Sequence, residues 1–371
     1  MTAKTATAKP AIRAEAERLF AAFRAAGAVA VEADLLLPAE TLLDLYGEDI
    51  RARAYVTQDP MLGEMMLRPD FTVPVVQAHM AHGADPARYA YLGEVFRKQD
   101  HLGEARMREY LQVGFEVFDR TAPEAADAEV FALFAQCLQG LGLRPVTGDV
   151  GILLAAVRGL NTSDRRRAAL LRHIWRPKRF RALLDRFAGR AAVPKARADL
   201  LERLGKDTPE ALIDAAGSFT GLRGADEIAA RARALIEDAD TPNLSAPEAA
   251  LLYDLLALEA PADAALAHLR GITQMLPAIA PAVDRFAARL VELKSRGVNT
   301  ETLAFEASHG RTLMEYYDGF VFSFLGPVGL PPVATGGRYD ALTAVLGQGR
   351  SIPAVGGIIR PHLVAALRGG K

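Results

Sequence analysis

Strand-like segments crowd both ends of this 371-residue chain and give way to helix-forming sequence in between. β-Branched and aromatic runs mark strands at 29–38, 55–57, 65–67, 89–96 and 111–118, and 146–155 reads as a return to the sheet. Strand signals resume at 303–305, 317–324 and 333–337. From about residue 158 to 295, alanine, leucine, arginine and aspartate dominate, with helical periodicity punctuated by prolines. Strands drawn from both ends around a helical block argue for an α+β fold rather than an alternating α/β repeat. The expected architecture is one mixed, mainly antiparallel sheet flanked by helices. It is built from 11–157 and 301–371 and interrupted by a mainly helical insertion at 158–300. Helices are expected at 11–26, where Ile12, Leu19, Phe20 and Phe23 form an apolar stripe, at 73–80, at 124–141 and from about Arg360 onward.

Charge narrows the function classes. With 44 Lys+Arg against 45 Asp+Glu the net charge is −1, so nothing global attracts nucleic acid or an anionic membrane. Arg165, Arg166, Arg167 and the arginine-rich 176–181 read as a solvated helix face. The apolar run 150–157 falls short of the roughly 20 residues that span a bilayer, so no membrane is expected. The single cysteine, Cys137, cannot form an intrachain disulfide, which suits a reducing, cytoplasmic setting. P-loop, GxGxxG, HExxH and GxSxG signatures are absent. His79 and His82 stand three apart on a helix without a third ligand at metal spacing, so they read as surface or cap histidines and no metal or cofactor is expected.

Four polar segments remain. The first is Met66-Leu67-Arg68-Pro69-Asp70-Phe71-Thr72, a strand end that turns into a helix, where Asp70 also suits an N-cap. The second pairs Tyr91-Leu92-Gly93-Glu94-Val95-Phe96-Arg97-Lys98-Gln99 with Arg106-Met107-Arg108-Glu109-Tyr110-Leu111-Gln112-Val113-Gly114-Phe115-Glu116 across a long charged loop. The third is Glu315-Tyr316-Tyr317-Asp318-Gly319-Phe320-Val321-Phe322, and the fourth Gly336-Gly337-Arg338-Tyr339-Asp340. Gln112 and Glu116 are four apart, so on a strand both point to one face, as a shared ligand requires.

In this order the four segments resemble the catalytic core of a class II aminoacyl-tRNA synthetase, specifically the histidyl-tRNA synthetase family. The resemblance covers about 11–150 and 303–365. Leu37-Pro38 falls where the family's dimerisation motif 1 ends, and 354–360 resembles motif 3. It implies a histidine pocket in which Asp70, Gln112 and Glu116 accept from the α-ammonium. Tyr317 and Tyr339 pack and hydrogen-bond the imidazole, with Tyr316 alongside, and Thr72 completes the polar wall. On the nucleotide side the matching residues are Arg97, Arg106 and Arg360.

The same comparison marks departures. Gln99 stands where the family has a glutamate facing adenine, Ile359 where motif 3 usually has glutamate, and Ala105 where a glycine precedes the Arg106–Arg108 pair. The family's arginine between histidine carboxylate and ATP falls at Thr312, with Arg311 one residue away. A cation on a transferring phosphate is worth several kcal/mol, so its loss should cripple adenylate formation. Few residues follow the motif 3 match, so no anticodon-binding domain and no tRNA partner are expected. A histidine-shaped pocket with decayed activation groups resembles the ATP phosphoribosyltransferase regulatory subunit family. That resemblance implies a non-catalytic subunit that activates a short-form catalytic subunit in the first step of histidine biosynthesis and confers feedback inhibition by L-histidine. It further implies self-dimers within a hetero-octamer, and leaves Arg97, Arg106 and Arg360 as vestiges of the ATP side. The alternative is a stand-alone synthetase-like enzyme that activates an amino acid for a non-tRNA acceptor.

Overall fold

A computed structural model describes residues 3–46, 50–99, 107–217, 221–311 and 316–369. The chain opens with α1 (Ala3–Ala25), β1 (Val29–Ala30), β2 (Leu36–Pro38), α2 (Ala39–Tyr46), α3 (Ile50–Arg53), β3 (Val56–Asp59), β4 (Gly63–Leu67) and α4 (Thr72–His82). It continues through the long strands β5 (Ala87–Phe96) and β6 (Glu109–Phe118), α5 (Pro123–Cys137), β7 (Arg144–Asp149) and α6 (Val150–Arg158). The helical run is α7 (Asp164–Arg172), α8 (Pro177–Phe187), α9 (Lys195–Leu204), α10 (Pro209–Ala215), α11 (Ala225–Asp240) and α12 (Ala246–Ala257). After β8 (Glu259–Pro261), α13 (Ala262–Thr273) and α14 (Ala280–Ser295) come β9 (Ala304–Glu306), β10 (Phe320–Leu325), β11 (Ala334–Arg338), α15 (Asp340–Leu346), β12 (Ala354–Ile359) and α16 (Pro361–Gly369).

Nine strands form the main sheet in the order β1-β5-β6-β12-β11-β10-β7-β9-β8. Only β1–β5 and β7–β9 pair in parallel; the other neighbours are antiparallel. The order places β6, from the first part of the chain, beside β12 from the last. Both faces of β6 are buried, and its apolar residues Val113, Phe115 and Val117 are wholly so. Phe23 of α1 packs on Phe115 and on Phe134 of α5, at ring-centroid distances of 5.4 and 5.3 Å. Each such buried phenylalanine contributes about 1.5–3 kcal/mol. A smaller sheet, β2-β4-β3, stands at the start of the segment that enters α4.

Two compact units divide the chain: 1–152 with 257–271 and 280–371, and 153–256 with 272–279. The block expected as an insertion over 158–300 is thus shared between them, because α14 packs on α5 within the first unit. Arg289 of α14, only 2% exposed, bridges Asp127 at 2.8 Å and Asp149 at 2.9 Å. In the second unit, Arg166 is buried rather than solvated. Its guanidinium donates to the Asp238 carboxylate at 2.8 Å and to the backbone carbonyls of Asp238, Thr241 and Pro242. One arginine thereby meets a carbonyl of the last turn of α11 and two just beyond it.

Three local expectations change. The 29–38 run is two short strands, and the carbonyls of Ala33 and Leu35 accept from the side chain and backbone of Arg68. The apolar stretch after Asp149 is helix α6 rather than strand. The N-terminal helix begins at Ala3 and runs through Pro10.

Candidate functional site

Strand β6 sets the floor of the site. Gln112 and Glu116 project from the same face, and between them Gly114 leaves room for the Tyr91 ring of β5, which a Cβ would strike at 2.0 Å. Glycine is required by this close approach. The Tyr91 hydroxyl thereby reaches the Glu116 carboxylate at 2.9 Å. From α4, Thr72 donates to the same oxygen at 3.2 Å, and Tyr339, just past β11, donates to the other at 2.7 Å. Tyr316 donates to Thr72 Oγ1 at 3.4 Å and meets Tyr317 edge-on at 4.9 Å. Asp70, on the turn from β4 into α4, is 5% exposed; the N-cap position falls on Phe71 rather than on it.

Asp70, Thr72, Gln112, Glu116, Tyr316, Tyr317 and Tyr339 therefore line one enclosed cavity of about 70 Å³. Arg97 and Arg360 line it too. Both also face an adjoining cavity of about 470 Å³ that contains Gln99, Tyr110 and His362. Arg97 Nε donates to the Pro69 carbonyl at 2.9 Å, and Arg360 Nη1 to the Pro332 carbonyl at 2.6 Å. Arg106 and Thr312 lie outside the described residues. Arg311 is buried but does not line this cavity. His79 is buried against Phe118, with ring centroids 3.8 Å apart, rather than at the surface, and no metal-holding cluster of His, Cys, Asp and Glu occurs among the described residues.

The sequence reading missed Tyr91. It is wholly buried, stacks on Phe71 at 4.3 Å and holds Glu116 in place. Its signal was an aromatic directly across the strand pair from a glycine, Tyr91 opposite Gly114, which only the register makes visible.

Burial pushes the Glu116 carboxyl up to about 7, against the three hydroxyls that favour its charged form. Burial, and then the Glu116 charge, push the phenols of Tyr91, Tyr317 and Tyr339 up, so all three remain hydrogen-bond donors. Gln112 is fully buried; its Nε2 donates to the Tyr110 hydroxyl at 3.5 Å, while its Oε1 has no hydrogen-bond partner among the described residues. The lining of this cavity combines buried acceptors, two arginines and aromatic rings. It suits a small zwitterion with a flat polar side chain.

Two predictions follow from this geometry. A Cβ at Gly356, which faces Glu116 across β6–β12, would stand 1.4 Å from the carboxylate oxygen. Gly356→Ala is expected to displace Glu116 and lower ligand affinity by at least tenfold while circular dichroism stays that of the folded chain. The raised Glu116 pKa also has a consequence for stability. The unfolded glutamate ionises near 4.5 and the folded one near 7, so between these values the folded state holds more protons, and stability falls as pH rises through that window. Denaturation at pH 5 and pH 8 is expected to show a decline of order 3 kcal/mol that Glu116→Gln removes.

Comparison with known proteins matches this arrangement to a family. A regulatory subunit of ATP phosphoribosyltransferase from Mesorhizobium japonicum is 34% identical over 97% of this chain and 98% of its own length. A protein of the same name from Chelativorans is 33% identical over 98% of both chains. The chain belongs to the ATP phosphoribosyltransferase regulatory subunit family. The histidyl-tRNA synthetase family model also matches it, over 6–260 and 226–362, a span that takes in every residue lining the cavity. Among solved structures, an ATP phosphoribosyltransferase regulatory subunit/histidyl-tRNA synthetase from Bacillus halodurans superposes with a TM-score of 0.69 at 22% identity, covering 97% of this chain and 79% of that one. A histidyl-tRNA synthetase from Nostoc gives 0.62 at 18% identity, covering 97% and 71%. The fold of this regulatory-subunit family member is thus that of a class II synthetase core, as expected from its four polar segments.

Proposed function

We propose that this chain is the non-catalytic partner of a short-form ATP phosphoribosyltransferase catalytic subunit, activating it and carrying the histidine feedback site. The observation behind this reading is the convergence of Asp70, Gln112, Glu116 and the tyrosines on one buried cavity in a chain whose relatives bear the regulatory-subunit name. Free L-histidine is the ligand that combines an ammonium for buried acceptors with an imidazole for aromatic walls. For inhibition, histidine must bind the less active arrangement of the complex more tightly than the active one. A coupling of about 1–3 kcal/mol gives ordinary feedback. The assembly in this reading is a cytoplasmic hetero-octamer of self-dimers with the catalytic subunit, without tRNA.

Calorimetry with L-histidine, on the isolated chain and on the complex, tests the proposal. The expected result is one site per chain and tighter binding to the inhibited complex. No heat of binding in either sample overturns it. Histidine-dependent ATP–pyrophosphate exchange by the purified chain would instead favour a stand-alone activating enzyme.

A further inference from the structure

Helix α15 starts at a residue that does not cap it. Tyr339 holds the N-cap position, yet its hydroxyl is committed to Glu116 at 2.7 Å and its side chain makes no hydrogen bond to the helix start. The first amides of a helix have no partner within it, so their acceptor must come from elsewhere. Asp318 supplies it. One oxygen of its carboxylate accepts from the Asp340 amide at 3.1 Å and the other from the Ala341 amide at 2.6 Å. Its own amide donates to the Arg338 carbonyl at 3.0 Å. One residue therefore bonds to the chain on both sides of Tyr339.

The same residue directly follows Tyr316 and Tyr317. Tyr317 rests on Gly337 of β11, where a Cβ would stand 2.9 Å from its ring, and Tyr316 meets Tyr339 edge-on with ring centroids 6.0 Å apart. On the other side of Asp318, the Gly319 carbonyl accepts from the Val150 amide at 2.9 Å and the chain enters β10. The aromatic walls of the cavity thus arrive on two separate segments of the chain that are joined at one carboxylate. Asp318 itself does not line the cavity, so any effect on a ligand must pass through the tyrosines.

Resting on the reading of the cavity as an amino-acid pocket, we infer that Asp318 is a positioning residue: by capping α15 from a distant segment it fastens Tyr317 to Tyr339 and sets both aromatic walls before the ligand arrives. A wall already in place need not be ordered on binding, and that saving appears as affinity.

Calorimetry on the full chain with L-histidine provides the test. It is run at pH 8, above the value of about 7 to which burial and the neighbouring Asp340 push the Asp318 carboxyl against the two amides and Arg338. Asp318→Ala is expected to weaken histidine binding about 3- to 30-fold, the span of a lost helix cap. Asp318→Asn, which keeps one acceptor oxygen, should lose less. In a chain that already carries Tyr317→Phe, part of what Asp318 aims is gone, so the loss on Asp318→Ala should shrink at least twofold; a merely structural role leaves it unchanged. Hydrogen exchange on the wild type needs no substitution, so a poorly folding variant does not shield the inference: the Asp340 and Ala341 amides should be protected before histidine is added. Unchanged affinity in a folded Asp318→Ala chain, full additivity with Tyr317→Phe, or fast exchange of those two amides in the ligand-free chain overturns this inference and leaves the amino-acid pocket standing. If the wild type binds no histidine, the pocket reading and this inference fall together.

Discussion

Glu116→Ala is expected to weaken L-histidine binding by about 10- to 100-fold, because a hydrogen bond to a charged group is worth about 1.5–3 kcal/mol. Glu116 is 1% exposed, and hydroxyls from α4, β5 and the end of β11 fix its position. Glu116→Gln keeps the volume, removes the charge and turns one of the two acceptor oxygens into a donor. It should lose a similar share of affinity while gaining stability at pH 8, since burial opposes the ionised glutamate. Opposite signs for affinity and stability in one conservative variant separate a ligand-facing carboxylate from a structural one. Isothermal titration and urea denaturation of the same preparation read both.

The second large effect lies under the pocket. Asp127 is fully buried and accepts from Arg289 Nε at 2.8 Å and from Arg338 Nη2 at 2.7 Å. Arg289 also binds Asp149 and lies 4.5 Å over the Phe320 ring, and Arg338 also binds Asp340. The cluster ties α5, β7, β11 and α14 together. Asp127→Ala leaves two buried guanidiniums short of a shared counter-charge and is expected to cost about 3–5 kcal/mol in urea denaturation. Arg338 immediately precedes Tyr339, whose hydroxyl holds Glu116, so the same variant should also weaken histidine binding. A loss under 1 kcal/mol with unchanged affinity would contradict this role for the cluster.

Much of the sheet was legible because local chemistry dictates it, whereas the residues around the cavity were drawn from the family resemblance. The alternation that puts Gln112 and Glu116 on one face is a property of any strand, and the β5–β6 hairpin follows from two β-rich runs flanking a charged loop. The apolar run at 150–157 was misread because a short hydrophobic stretch has no periodicity that separates a buried strand from a buried helix. The break within 29–38 depends on Arg68, which lies more than thirty residues downstream and takes the Ala33 carbonyl for itself. β8 escaped notice because three residues, Glu259-Ala260-Pro261, carry no strand pattern of their own and pair only through β9. Arg166 reads in sequence as part of a solvated helix face and Arg289 carries no signal of its own; their partners, Asp238 and Asp127, are distant in sequence, and only the fold brings them together. Tyr91 belongs to the same class, since its function depends on a glycine across the strand pair.

A crystal structure of the chain grown with L-histidine tests the central claim most directly. The amino acid is expected inside the cavity bounded by Asp70, Gln112, Glu116, Tyr317 and Tyr339. Histidine bound at a subunit interface, with that cavity unfilled, would contradict it.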